Sequence, residues 1–268
     1  MSAQITVAVS LKTYFGQARA RAWFAEVAPR ASAHPAVLGG DVRLIVIPTY
    51  LQIAPALDAF AGTAVLVGAQ DVSAFGPGPY TGEVTASELA ELGVTVAEVG
   101  HAERRRLFDE SDGVTAAKAS AALAHGVIPV VCIGESERLG GPAAALANVE
   151  QLTANLRGLA AGPVIVAYEP TWAIGAAEPA PEEHIAAVTR ALRGALNADA
   201  ARVDSVVIYG GSARPGLLTG LGDSVDGLFL GRFAHDPGAL IAVLDEAAAL
   251  ADERRILTPC ASDGWRTS

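Results

Sequence analysis

The sequence predicts an α/β fold in a single domain, a closed (β/α)8 barrel with eight parallel strands. Three observations predict it. Eight short, β-branched apolar runs recur along the chain, helix-compatible stretches separate them, and the runs start on average about 32 residues apart, the length of one βα repeat. Runs without strict polar alternation, each followed by a helix, imply a parallel sheet covered on both faces. Eight such units in 268 residues fit a closed barrel better than an open doubly wound sheet, the other arrangement this pattern allows.

Strand one is expected over Gln4 to Val9, followed by a helix over Arg19 to Val27. Strands two, three and four are expected at Val42 to Ile47, Ala64 to Gly68 and Val94 to Val99. A helix over Ala116 to Ala124 leads into strand five, Val127 to Ile133, and one over Ala143 to Leu159 into strand six, Val164 to Tyr168. The stretch Glu182 to Leu196 is the helix before strand seven, Ser205 to Tyr209. Strand eight, Asp226 to Leu230, is followed by the final helix, Ala239 to Ala251. The alanine content of these helices is ordinary helix propensity. The barrel is therefore placed over residues 1–251. Residues 252–268, with Pro, Gly, Ser and Thr, read as a C-terminal surface tail.

Composition narrows the function. Hydrophobic residues make up 51% and charged residues 18%, a globular balance, and the formal net charge is −10. With no basic cluster beyond Arg104, Arg105 and Arg106, neither a nucleic-acid surface nor an anionic-membrane surface is expected. Cys132 and Cys260 are far apart and sit in no metal-ligand spacing, so neither a metal site nor a disulfide framework is expected. No cofactor is expected, and no GxGxxG follows the first strand to suggest a dinucleotide. The N-terminus lacks a signal-like basic and apolar pattern, which places the chain in the cytoplasm.

Barrels of this kind build their sites at the C-terminal ends of the strands, and here those ends are polar. Strand one ends at Ser10-Leu11-Lys12, strand four at Gly100-His101-Ala102-Glu103, and strand six at Tyr168-Glu169-Pro170. Singly, each residue has an ordinary structural reading: a lysine after a strand is usually solvated, and a lone histidine is usually a satisfied donor. Together they read as chemistry, with Glu169 a base, His101 an electrophile and Lys12 a cation beside developing negative charge. The turns Gly210-Gly211-Ser212 and Gly231-Arg232 lie where barrels commonly hold phosphate. A small phosphorylated substrate with an acidic C–H beside a carbonyl is the expectation.

Several runs carry a family resemblance. Gly100-His101-Ala102-Glu103-Arg104-Arg105, Ala167 through Gly175 and Tyr209-Gly210-Gly211-Ser212 resemble the signature segments of triosephosphate isomerase, a TIM barrel. Ala69-Gln70-Asp71, Tyr80-Thr81-Gly82-Glu83 and Val131 through Glu135 match as well, in order, over the chain to about residue 250. That family pairs a glutamate base with a neutral histidine. The resemblance implies His101 and Glu169 as catalytic, Lys12 as the substrate-binding cation, and Glu103 as the group that orients Lys12. It implies a lid starting at Pro170, Thr171, Trp172, Ala173 and Ile174. Phosphate would lie on backbone groups of Gly175, Ser212, Gly231 and Arg232, and Thr81 would reach into the neighbouring subunit of a homodimer.

The departures cluster at the substrate. The family's Asn-x-Lys after strand one is Ser10-Leu11-Lys12 here, its Gly-Gly after strand eight is Gly231-Arg232, its Ser after the histidine is Ala102, and the second lid hinge is Ala176-Ala177-Glu178. Similar Ser-for-Asn barrels include isomerases of erythrulose phosphates in four-carbon sugar-alcohol catabolism. The leading expectation is thus conversion of L-erythrulose 1-phosphate to D-erythrulose 4-phosphate, in which a phosphorylated ketose or aldose partner passes through an enediol. Two alternatives stand beside it: a triosephosphate isomerase, and a non-catalytic barrel that binds phosphorylated metabolites.

Overall fold

A computed structural model describes residues 4–257. Eight strands, β1 (Ile5–Ser10), β2 (Val42–Ile47), β3 (Leu66–Ala69), β4 (Val96–Val99), β5 (Ile128–Ile133), β6 (Ile165–Tyr168), β7 (Val206–Tyr209) and β8 (Gly227–Leu230), pair in parallel, each with the next. The ring closes where β1 meets β8, with Val7 opposite Leu228 and Val9 opposite Leu230. Around it run α1 (Gln17–Ser32), α2 (Pro35–Leu38), α3 (Ile53–Ala59), α4 (Ala86–Leu92), α5 (Ala102–Phe108), α6 (Asp112–Ala124), α7 (Gly141–Asn155), α8 (Glu182–Asn197), α9 (Leu217–Leu221) and α10 (Pro237–Leu257). This is the expected single-domain (β/α)8 barrel.

Alternation along each strand divides the core in two. Outward residues such as Val7, Val9, Leu44 and Val166 pack under the helices. Inward residues Ala8, Ile45, Val96, Val130, Ala167, Ile208 and Phe229 fill the barrel centre. The inward row continues upward from Ala8 to Ser10, from Val96 to Glu98 and from Ala167 to Glu169. Polar groups thereby emerge at the C-terminal mouth above an apolar floor.

Most strands begin one or two residues later than the apolar runs do. Val65 and Val94 are buried, but ladder pairing starts only at Leu66 and Val96, because burial extends past the paired backbone. The tail boundary needs a larger correction. α10 continues to Leu257, so residues 252–257 are helical rather than tail, and Arg254 is buried there. Its Nη2 donates to the Val225 carbonyl at 2.6 Å and its Nε to Asp223 Oδ1 at 2.9 Å, tying the helix end to the loop before β8. The rest of the expected tail, with Cys260, lies outside the described residues. Among those described, no helix is long and apolar enough to cross a membrane. The Arg104 to Arg106 run is mostly committed to pairing: Arg104 bonds Asp71 and Glu110, and Arg105 bonds Asp112.

Candidate active site

The strand ends open into a cavity of about 790 Å³ lined by Ser10, Lys12, His101, Glu103, Glu169, Gly175, Ser212, Gly231 and Arg232. Residues from β1, β4, β6, β7 and β8 thus converge as the sequence anticipates. Thr171 and Ile174 line the same cavity, whereas Pro170, Trp172 and Ala173 do not touch it. Thr81 lies elsewhere, exposed on the loop between β3 and α4.

Backbone geometry aims the cation. Lys12 has φ 47°, a left-handed conformation uncommon for a residue with a side chain, and one that marks a position held by its surroundings. The turn brings its Nζ to 2.8 Å from His101 Nε2 and 3.5 Å from Glu103 Oε2. His101 is the N-cap of α5, and its Nδ1 accepts the Glu103 backbone N–H at 3.1 Å. With Nδ1 turned to that N–H, Nε2 is the nitrogen that meets Lys12 and Glu169 and can exchange protons with them. Glu169 Oε2 stands 3.1 Å from that same Nε2.

The electrostatics suit proton transfer. Burial works against the Glu169 carboxylate, but the His101 ring and the Lys12 ammonium outweigh it and hold its pKa below the ordinary value, so it is ionised at neutral pH. Burial likewise opposes the Lys12 charge, yet Glu98, Glu169 and Glu103 keep its pKa above the ordinary value. His101 follows the same pattern: desolvation lowers its pKa, and Glu169 and Glu98 bring it back above the ordinary value. The buried Cys132 thiol is pushed well up by desolvation, which leaves it packing as a neutral side chain.

The segment that follows β6 is tied at both ends. A short 3-10 turn over Thr171–Ala173 begins it, with the Thr171 N–H donating to the Glu135 carbonyl at 3.0 Å. Trp172 Nε1 donates to Glu135 Oε1 at 3.0 Å, and its ring packs edge-on against His184 at 5.5 Å. At the far end Ala180 donates its N–H to Tyr209 Oη at 3.0 Å. The Ser212 hydroxyl, on another left-handed residue (φ 53°), faces the carbonyls of Ala173 at 2.8 Å and Ala176 at 3.0 Å. The Arg232 side chain reaches toward the same segment, its Nη2 3.8 Å from where a Cβ on Gly175 would stand.

Two features escaped the sequence reading. Glu135, with Tyr168 and His184 bonded to it, forms the anchor that holds Trp172. Glu98 is the second: an acid inside the apolar run Val94 to Val99, whose alternation with Val96 was the available signal.

An imidazole nitrogen flanked by an ammonium and an ionised carboxylate, at the mouth of a closed eight-stranded barrel, is equipped to move protons on a bound substrate, and the family match makes this chain a sugar-phosphate isomerase. The chain belongs to the triosephosphate isomerase family, whose model matches residues 5–247. It is 44% identical to the L-erythrulose-1-phosphate isomerase of Pectobacterium atrosepticum, over 94% of this chain and 99% of that protein. It is also 37% identical to the triosephosphate isomerase of Symbiobacterium thermophilum, over 90% of this chain and 96% of the relative. With the triosephosphate isomerase of Thermus thermophilus it shares 36%, over 90% and 98% of the two chains.

Proposed function

We propose that this enzyme interconverts L-erythrulose 1-phosphate and D-erythrulose 4-phosphate. The observation that carries the reading is the meeting of Lys12, His101 and Glu169 at one imidazole nitrogen, beneath a cavity end where Ser10 replaces a larger amide. Glu169 takes the proton from C3 of the ketose, and the electrons of that C–H bond form the C2=C3 double bond of an enediolate. The Lys12 ammonium stabilises the charge that develops on oxygen. His101 passes a proton between the oxygens on C2 and C3 through Nε2. Return of the carbon proton from Glu169 to C2 leaves the carbonyl at C3, so atoms and charge balance.

Glu103 orients both His101 and Lys12. Backbone groups of Gly175, Ser212, Gly231 and Arg232 hold the phosphate, and the Pro170 to Ile174 segment keeps water from the enediolate. Compared with a triose, the substrate carries one more hydroxymethyl group on its reacting carbon, and the short Ser10 side chain leaves space for it. The similarity to the Pectobacterium enzyme favours this substrate over a triose phosphate. The intact base, cation and latched lid argue against a barrel that only binds. Relative kcat/KM on L-erythrulose 1-phosphate and dihydroxyacetone phosphate tests the reading: a clear preference for the tetrulose is expected, and faster turnover of the triose overturns it.

The enzyme works as a cytoplasmic homodimer in this proposal. Phe75 and Tyr80 stack at 4.4 Å on the loop that carries Thr81, with 51% and 41% of their surfaces exposed, and a partner would cover them. Sedimentation that finds only monomer at low micromolar concentration rejects the dimer.

A further inference from the structure

The segment Ala176-Ala177-Glu178, where the chain departs from its family, takes no part in the proton-transfer scheme. In the fold its acidic residue meets Arg214, on the loop between β7 and α9. Arg214 Nη1 donates to Glu178 Oε1 and to the Ala177 carbonyl, each at 3.3 Å, and Nη2 donates to Glu178 Oε2. The guanidinium therefore grips the carboxylate with both terminal nitrogens and the adjoining backbone with one of them. Two-point pairs of this kind are the exception among exposed ion pairs, most of which contribute little.

Both partners precede a proline, in Glu178-Pro179 and Arg214-Pro215, and a following proline confines a residue's backbone to extended conformations. The two side chains are thus presented from restricted backbones, which lowers the entropy lost when they pair. The contact also joins two walls of the cavity. Ala176 and Ala177, just before Glu178, line it from one loop, and Ser212 and Ala213, just before Arg214, line it from the other. Neither Glu178 nor Arg214 lines it, so the pair acts on a ligand through the walls that it joins.

We propose that Arg214 is a positioning residue: by holding Glu178 and the Ala177 carbonyl, it keeps the second half of the lid against the turn that carries Ser212, and so sets how tightly a phosphorylated substrate is retained. The assignment rests on the proposed reading of the segment from Pro170 as a lid and of the Ser212 turn as part of the phosphate site. Charge alone gives the opposite expectation for Glu178, because a carboxylate near that end of the cavity repels a phosphate dianion. Removing the carboxylate therefore weakens binding if the pair positions the lid, and strengthens it if only its charge is felt.

The test is calorimetry on the full chain with glycerol 3-phosphate, an unreactive probe. Arg214→Ala and Glu178→Gln are each expected to raise its Kd about three- to fivefold, near the upper end of what an exposed pair supplies, and the double variant is expected to match Arg214→Ala alone. The ratio of the Arg214→Ala Kd to that of wild type is expected to approach one at about 1 M salt, where exposed pairs are screened, whereas a purely steric role would leave it unchanged. KM for the ketose phosphate should rise with Kd while kcat changes less than about twofold, the mark of lost uniform binding. Tighter binding by Glu178→Gln, an unchanged Kd in Arg214→Ala, losses that add in the double variant, or a ratio indifferent to salt overturns the assignment. These ratios need no turnover, so they are independent of the substrate proposal. A wild type that prefers the triose rejects the tetrulose reading, and the Kd ratios still decide the role of Arg214.

Discussion

A Cβ placed on Gly210 would lie 2.5 Å from Oε1 of Glu169, so the absence of a side chain at the end of β7 is what lets the carboxylate rest where it does at the end of β6. The neighbouring strands meet here, with the Gly210 N–H donating to the Tyr168 carbonyl at 2.9 Å, and the backbone cannot readily retreat. The carboxylate would have to move instead. Gly210→Ala is expected to lower kcat about 10²-fold, since displacement of a reacting group by an ångström costs roughly that much. Glu169→Gln should lower it by at least about 10²–10⁴-fold by removing the base. Steady-state kinetics with circular dichroism checks both: full activity in Gly210→Ala would mean that the base position is not set by this contact.

Ser10→Asn should move preference toward the triose phosphates. An amide would occupy the space above Ala8 on the inward face of β1, where Ser10 is 3% exposed and has little room to turn away. One small group in a pocket is worth roughly 10–200-fold in selectivity, so the ratio of kcat/KM for L-erythrulose 1-phosphate over dihydroxyacetone phosphate should fall by about that factor. An unchanged ratio, with every substrate slowed alike, would show that Ser10 acts only on the local backbone.

Arg232 stands where the family more often has glycine, with its guanidinium reaching over Gly175. A guanidinium beside a phosphate forms charge-assisted bonds that weaken with salt. Arg232→Ala is expected to raise KM about tenfold, with a smaller effect on kcat, and to make KM less sensitive to ionic strength. If the salt dependence matched that of wild type, the side chain would not be meeting the phosphate.

Burial raises the pKa of Glu98, and this bears on stability. In the unfolded chain this group ionises near its ordinary 4.5, whereas in the fold it retains its proton to higher pH. The unfolded state thus binds fewer protons between these two values, and stability declines as pH rises through that window. Glu98→Val removes this contribution. Its Tm advantage over wild type should therefore be larger at about pH 8 than at about pH 4.5, as thermal melts in matched buffers would read. An advantage that shrinks as pH rises would show that Glu98 is stabilised as a charged group.

The sequence by itself determined the repeat of strand and helix, and hence the barrel, because apolar runs and amphipathic stretches are local patterns legible along the chain. It also placed Lys12, His101 and Glu169 at strand ends, since a polar residue that terminates an apolar run declares itself. Only the tertiary structure decided what those residues touch. Closure of β8 onto β1 brings positions 12, 101 and 169 around one nitrogen, a distance no spacing along the chain encodes. The burial of Arg254 in what reads as a polar tail, and of Glu98 inside the apolar run of strand four, has the same origin. A charged residue is polar wherever it stands in a sequence, and whether it meets water, a partner or an idle cavity is settled by the packing of segments far apart in the chain.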